Sequence, residues 1–165
     1  MPEIPDICLY QHALNRFIVG RTIDALTVRS PFLVRTFEPE ISAVVGHDVV
    51  GIRRMGKRIV WELDGDLFLV FHLMIAGRFH WKKPGVGPTR KVDLAAFGFD
   101  HGTLMLTEAA SKKRAALYVH ADEASLAQHD RGGLEVLDCS LSDFQSMRTT
   151  RPIRTHSQLS NWIQR

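Results

Sequence analysis

The sequence predicts a mainly β protein, an antiparallel sandwich or flattened barrel behind one N-terminal helix, with further short helices flanking it. Three observations predict this class. Helical periodicity is concentrated in the first twenty residues, short apolar runs of strand length follow, and turn residues separate those runs at brief intervals. With 165 residues, 45% hydrophobic and 24% charged, the chain suits one globular domain with a real core.

The helix opens at Pro2 and Glu3, with Ile4, Ile7, Cys8, Leu14, Phe17 and Ile18 on one face and Gly20 at the stop position. Proline in a first turn, with Glu3 and Asp6 beside it, suits both the backbone and the helix dipole. From Thr22 the period shortens. Strands are expected at Thr22–Val28, Val49–Met55, Arg58–Leu63, Leu67–His72, Leu94–Phe99, Thr103–Thr107 and Ala116–His120. Asp64-Gly65 and Asp100-His101-Gly102 read as the turns of two hairpins. A short helix is expected at Glu38–Val45. Lys82–Arg90, built on Pro84-Gly85-Val86-Gly87-Pro88, reads as a surface loop. Ser140–Met147 starts a second helix, with Leu141, Phe144 and Met147 spaced by threes. Residues 149–165 hold few apolar residues and are too short to bury a core of their own.

Charge is unevenly distributed. Residues 53–114 carry twelve Lys/Arg against six Asp/Glu, net +6, whereas the segments before and after are net −2 and −1. A basic middle third suits a surface that tracks a polyanion, and equally a solvated basic face. Two cysteines, Cys8 and Cys139, cannot build a four-thiolate zinc site within one chain and fit a reduced protein. No metal or cofactor is expected. The acidic, proline-bearing N-terminus is unlike a signal peptide, and the longest apolar run, Leu67–Phe71, is far shorter than a membrane span. The expected location is therefore cytoplasmic, with no membrane partner.

Four elements carry chemistry. Once Met1 is removed, Pro2 is a secondary amine able to attack an electrophilic carbon and form an iminium, and chain-end amines titrate nearer neutrality than lysine. Glu3 is placed to deliver or accept the proton, and Lys57 is a candidate to depress the amine pKa and hold a phosphate. The second element is Arg53-Arg54-Met55-Gly56-Lys57-Arg58, four cations in six residues, although strand alternation sends some to opposite faces. The third, His72-Leu73-Met74-Ile75-Ala76-Gly77-Arg78-Phe79, offers an apolar tip that could wedge into a base stack. The fourth is the basic triplet Lys112-Lys113-Arg114. Each has an ordinary counterpart: a helix start, a surface lysine near a turn, a strand end in the core, a solvated loop.

In this order and spacing the elements resemble the formamidopyrimidine-DNA glycosylase and endonuclease VIII family over roughly residues 2–147. The family's Pro-Glu-Leu-Pro-Glu opening corresponds to Pro2-Glu3-Ile4-Pro5-Asp6, and its basic-Gly-Lys segment to Arg54-Met55-Gly56-Lys57. Its His-Leu-Gly-Met turn corresponds to His72-Leu73-Met74-Ile75, and its next strand to Lys91-Val92-Asp93-Leu94. The resemblance implies an N-terminal helix followed by a two-sheet β-sandwich over residues 1–139, then the start of an interdomain helix and a divergent tail over 140–165. It implies a bifunctional glycosylase/lyase of the base-excision repair type, acting on oxidised bases in double-stranded DNA without a cofactor. Pro2 would attack the anomeric carbon, Glu3 would protonate the opening sugar, and Lys57 would hold phosphate and assist the elimination. His72 and Lys112 align with phosphate contacts, Ile75 with the wedge, and Met74 stands beside it. Arg54, Lys91, Lys113 and Arg114 complete the expected DNA-binding set.

Two departures shape the expectation. The family's Asp-Pro-Arg-Arg-Phe-Gly is replaced by Ala110-Ser111-Lys112-Lys113-Arg114-Ala115, which lacks the inserted aromatic. The family's helix–two-turns–helix and zinc-finger domains have no counterpart in this sequence, so the reading is of a truncated enzyme of reduced activity. Two other functions remain open: a non-catalytic DNA-binding remnant, and an inactive fragment that self-associates through an exposed interdomain surface.

Overall fold

The structure is a computed structural model that describes residues 2–130, 140–142, 145 and 146. Helix α1 spans Ile4–Phe17 and is followed by eight strands: β1 (Ala25–Val28), β2 (Val49–Met55), β3 (Arg58–Leu63), β4 (Leu67–His72), β5 (Gly77–Lys82), β6 (Asp93–Phe99), β7 (Gly102–Glu108) and β8 (Ala116–His120). A one-turn helix α2, Glu123–Leu126, closes the series, capped by the Asp122 carboxylate on the Ser125 N–H at 2.6 Å.

The strands form two four-stranded sheets, ordered β1-β6-β7-β5 and β2-β3-β4-β8, with every neighbour antiparallel. The sheets remain separate layers rather than closing into a barrel. Between them lies an aromatic core. Trp61 and Phe71 from one sheet meet Phe97 from the other, with centroids 4.7 Å apart for Trp61–Phe71 and 5.0 Å for Trp61–Phe97. Phe79 packs edge-on against Phe71 at 5.3 Å. Ile7, Leu14 and Ile18 of the α1 region join this core. On the outer face of the second sheet a smaller cluster of Val60, Phe68, Val70 and Leu126 is sealed by α2, which is why β3 and β4 are apolar on both faces.

Expected and observed strands agree closely, with one omission. β5 was not expected as a strand, yet its burial alternates, Gly77 and Phe79 in, Arg78 and His80 out. The expected helix at Glu38–Val45 is a single 3₁₀ turn at Ile41–Val44. Pro39 allows no longer helix upstream, because it disfavours helical backbone at Glu38. Of the helix expected at Ser140–Met147, residues 141, 142, 145 and 146 are helical, while Phe144 and Met147 lie outside the described residues, as do residues 149–165. The chain divides after Asp130, and the sandwich lies wholly in the first unit. No helix among the described residues is long and apolar enough to cross a membrane.

Candidate catalytic and nucleic-acid-binding site

Strand register brings the chemistry-bearing segments to one end of the sandwich. Arg58 pairs with His72 and His72 with Ala116, so the Gly56-Lys57 turn, the β4–β5 crossover and the β7–β8 crossover share that end. Gly77 pairs with Glu108, and Asp93 with Thr107, which brings the Lys91 segment there as well. At each of these two crossovers the chain passes from one sheet to the other, as it also does between β1 and β2.

Pro2 and Glu3 precede α1, and Glu3 serves as its N-cap residue in extended conformation (φ −98°, ψ 176°). The Glu3 N–H donates to the Asp6 carboxylate at 2.8 Å, fixing the chain entry. Gln11 donates to the Ile52 carbonyl at 3.1 Å and pins α1 to β2. Pro2 is buried, while Glu3 is exposed. Beside Pro2 lies a cavity of about 290 Å³ lined by Pro2, Asp6, Leu9, Tyr10, Ala13 and Arg78.

Lys57 reaches this site because β2 and β3 are joined by only two residues. Gly56 takes the positive φ of 56° that begins the tight turn, which leaves Lys57 at its tip. The Lys57 ammonium lies 2.6 Å from the Glu3 carboxylate, with both side chains partly exposed. A helix start and a hairpin tip thus bring the Glu3 carboxyl and the Lys57 ammonium together next to Pro2.

The remaining basic residues do not act as one cluster. Arg53 turns to the outer face, bonded to Glu62 at 2.9 Å and Glu123 at 2.6 Å and lying over the Phe68 ring. Arg58 also faces outward and donates to the His129 carbonyl at 3.1 Å. Arg54 has the parity of buried Ile52, and its guanidinium donates to the Gly56 carbonyl at 3.2 Å, bracing the turn. His72 has the parity of Phe68 and Val70 and contributes to the positive field at His129. There the His120 and His129 Nε2 atoms are 2.8 Å apart. Burial first, then the charges of His120, Arg58 and His72, pushes His129 down to about 4.

At the β4–β5 crossover, Met74 adopts φ 55°, and the Gly77 N–H bonds the Leu73 carbonyl at 2.9 Å. A Cβ on Gly77 would stand 2.4 Å from that carbonyl, so the turn closes only with glycine. Ile75 is half exposed at its apex, and Met74 is more covered. Lys91 is exposed. At the β7–β8 crossover Lys112 and Arg114 are exposed, whereas Lys113 turns inward and its ammonium donates to the carbonyls of Glu108 and Ala110. Among the described residues no group of three metal-ligating side chains occurs. Sequence reasoning missed Arg78, Asp6 and Tyr10 as walls of the Pro2 cavity. The signal for Arg78 was the period-two pattern of β5, which turns it away from the core.

The family model of the formamidopyrimidine-DNA glycosylase N-terminal domain matches residues 1–130, and the chain belongs to that family. It is 30% identical over 159 residues to a formamidopyrimidine-DNA glycosylase of Heliobacterium modesticaldum, covering 92% of this chain and 57% of the relative. To that of Solibacter usitatus it is 28% identical over 163 residues, covering 98% of this chain and 58% of the relative. The solved structure of the Lactococcus lactis enzyme with DNA containing an oxidized pyrimidine superimposes with a TM-score of 0.69 at 25% identity, covering 77% of this chain and 47% of that one. The chain thus spans less than two thirds of the length of these relatives.

Proposed function

We propose that this domain carries the nucleophile of a DNA glycosylase/lyase acting on oxidised bases in duplex DNA, with Pro2, Glu3 and Lys57 as its catalytic residues. The observation that carries the reading is the 2.6 Å approach of Lys57 to Glu3 beside buried Pro2. After removal of Met1, the Pro2 nitrogen attacks C1′ of the damaged nucleotide. The glycosidic bond breaks, and the base leaves with the bonding pair and takes a proton. Glu3 protonates O4′ as the sugar opens, leaving an iminium between Pro2 and C1′. Loss of a C2′ proton then expels the 3′ phosphate, and Lys57 neutralises charge on the phosphate and assists proton transfer. Hydrolysis returns the amine.

Extruding the base costs a few kcal/mol of stacking and pairing, which Ile75 offsets by filling the gap. Phosphates would be held by Arg54, His72, Lys91, Lys112 and Arg114. The relatives' matched structures support the choice of partner, because the Lactococcus lactis enzyme is seen with abasic and with oxidized-pyrimidine DNA.

The test is borohydride trapping on duplex DNA containing an abasic site, with protein shown by mass spectrometry to begin at Pro2. A covalent complex is expected, and Pro2→Gly should abolish it. Absence of trapping by the wild-type chain would overturn the lyase reading; binding without trapping would leave a DNA-binding domain alone.

A further inference from the structure

Glu108 ends β7 with no exposed surface, and a buried carboxylate is costly unless donors surround it. Its Oε2 accepts two consecutive backbone N–H groups, Arg114 at 2.8 Å and Ala115 at 3.0 Å. Its own N–H donates to the Val92 carbonyl at 2.8 Å, next to Lys91, and it pairs across the sheet with Gly77, where the wedge turn ends. From the other side the Lys113 ammonium closes the loop on the carbonyls of Glu108 and Ala110. Three segments at the basic end of the sandwich therefore converge on one buried residue. Lys112 and Arg114, exposed on either side of the inward Lys113, make no ion pair among the described residues.

We infer that Glu108 is a positioning residue for DNA binding: with Lys113 it locks the Ala109–Ala115 crossover so that Lys112 and Arg114 stand as a fixed pair of phosphate contacts. The inference rests on the duplex-binding part of the proposed function. It assigns Lys113 to the lock rather than to DNA. The Glu108 carboxylate acts through the backbone, by orienting two amides, and touches no phosphate itself. Its second oxygen, Oε1, has no hydrogen-bond partner among the described residues, so the geometry asks for one good acceptor here rather than for a charge.

That distinction sets the experiment. Binding of the whole chain to a fluorescent duplex containing an abasic site is measured over a range of potassium chloride concentrations. Each phosphate contact contributes about 0.9 to the slope of log affinity against log salt. Glu108→Ala should flatten the slope by about 1.8, as should the Lys112→Ala, Arg114→Ala double variant, and combining all three should flatten it no further. Glu108→Gln keeps an acceptor oxygen and should retain the wild-type slope. Lys113→Met removes one cation but should also flatten the slope by about 1.8, since the lock fails. This variant decides the matter if Glu108→Ala does not fold. An unmoved slope in Glu108→Ala, a further loss in the triple variant, or a loss of only about 0.9 in Lys113→Met overturns the inference. Failure of the wild-type chain to bind the duplex overturns the proposed function as well; normal binding with an unmoved slope overturns this inference alone.

Discussion

Mild acid should destabilise the fold through His129, with a window and a sign set by its surroundings. His129 sits at about 4 in the folded chain against 6.5 for an ordinary histidine, because burial and the neighbouring His120, Arg58 and His72 charges oppose its protonation. The unfolded chain therefore binds this proton more readily, and stability falls as pH drops from about 6.5 toward 4. A gap of about 2.5 units would amount to about 3.4 kcal/mol if the ring were fully shielded. It is only partly buried, so solvent screening reduces this to about 1–2 kcal/mol. In thermal unfolding that corresponds to roughly 3–8 °C of midpoint lost between pH 7 and pH 4. His129→Gln removes the titration while keeping a polar group near His120, and should show a shallower decline over the same window. The depressed carboxyls Asp64, Asp93, Asp100 and Asp122 lose their contributions at lower pH, through and below the ordinary carboxylate range. His80 and His120, also lowered by burial, titrate in both proteins, so the difference between variant and wild type above pH 4 isolates His129. Superimposable pH profiles for the two proteins would refute the reasoning.

Other outcomes follow from the same geometry. Lys57→Met should abolish most trapping yet cost less than about 1 kcal/mol of stability, since its ion pair is partly exposed; comparable losses in both assays would assign it a structural role. Gly77→Ala should destabilise by about 2–4 kcal/mol in urea titration, because the new methyl meets the Leu73 carbonyl. Phe71→Ala should cost about 3–5 kcal/mol through the void left beside Trp61, Phe79 and Phe97. Arg53→Ala should leave the salt dependence of duplex binding unchanged, since Glu62 and Glu123 hold that guanidinium on the outer face; a flatter slope would place Arg53 on DNA.

The fold was legible because its signals are local. Alternation and turn residues marked seven of the eight strands, including the two that Gly56 and Lys57 join. β5 was obscured because its first residues were read with the apolar tip before it, although Arg78 and His80 alternate with Gly77 and Phe79. Sheet membership was not legible, since pairing of Glu108 with Gly77 or His72 with Ala116 depends on long-range register. For the same reason the four basic residues around Gly56 could be counted but not assigned. Only packing shows that Arg53 and Arg58 face α2 and His129 while Arg54 braces the turn. Lys113 is the sharpest case: within a basic triplet its residue type suggests a DNA contact, and its two carbonyl partners turn it inward.

The shared end of the hairpin tip and the two crossovers has a counterpart at the far end. There the β3–β4 and β6–β7 turns carry Asp64, Asp66 and Asp100, with Lys82 and Lys83 beside them at the close of β5. Arg21 pairs with Asp100 there, so the far end is close to balanced and the basic excess sits at the end that carries Lys57, Lys91, Lys112 and Arg114. A polyanion approaching from solution would meet a field that turns the domain before contact, so that the basic end leads. On the proposed function, orientation would be settled at a distance, with Pro2 on the side that faces the backbone.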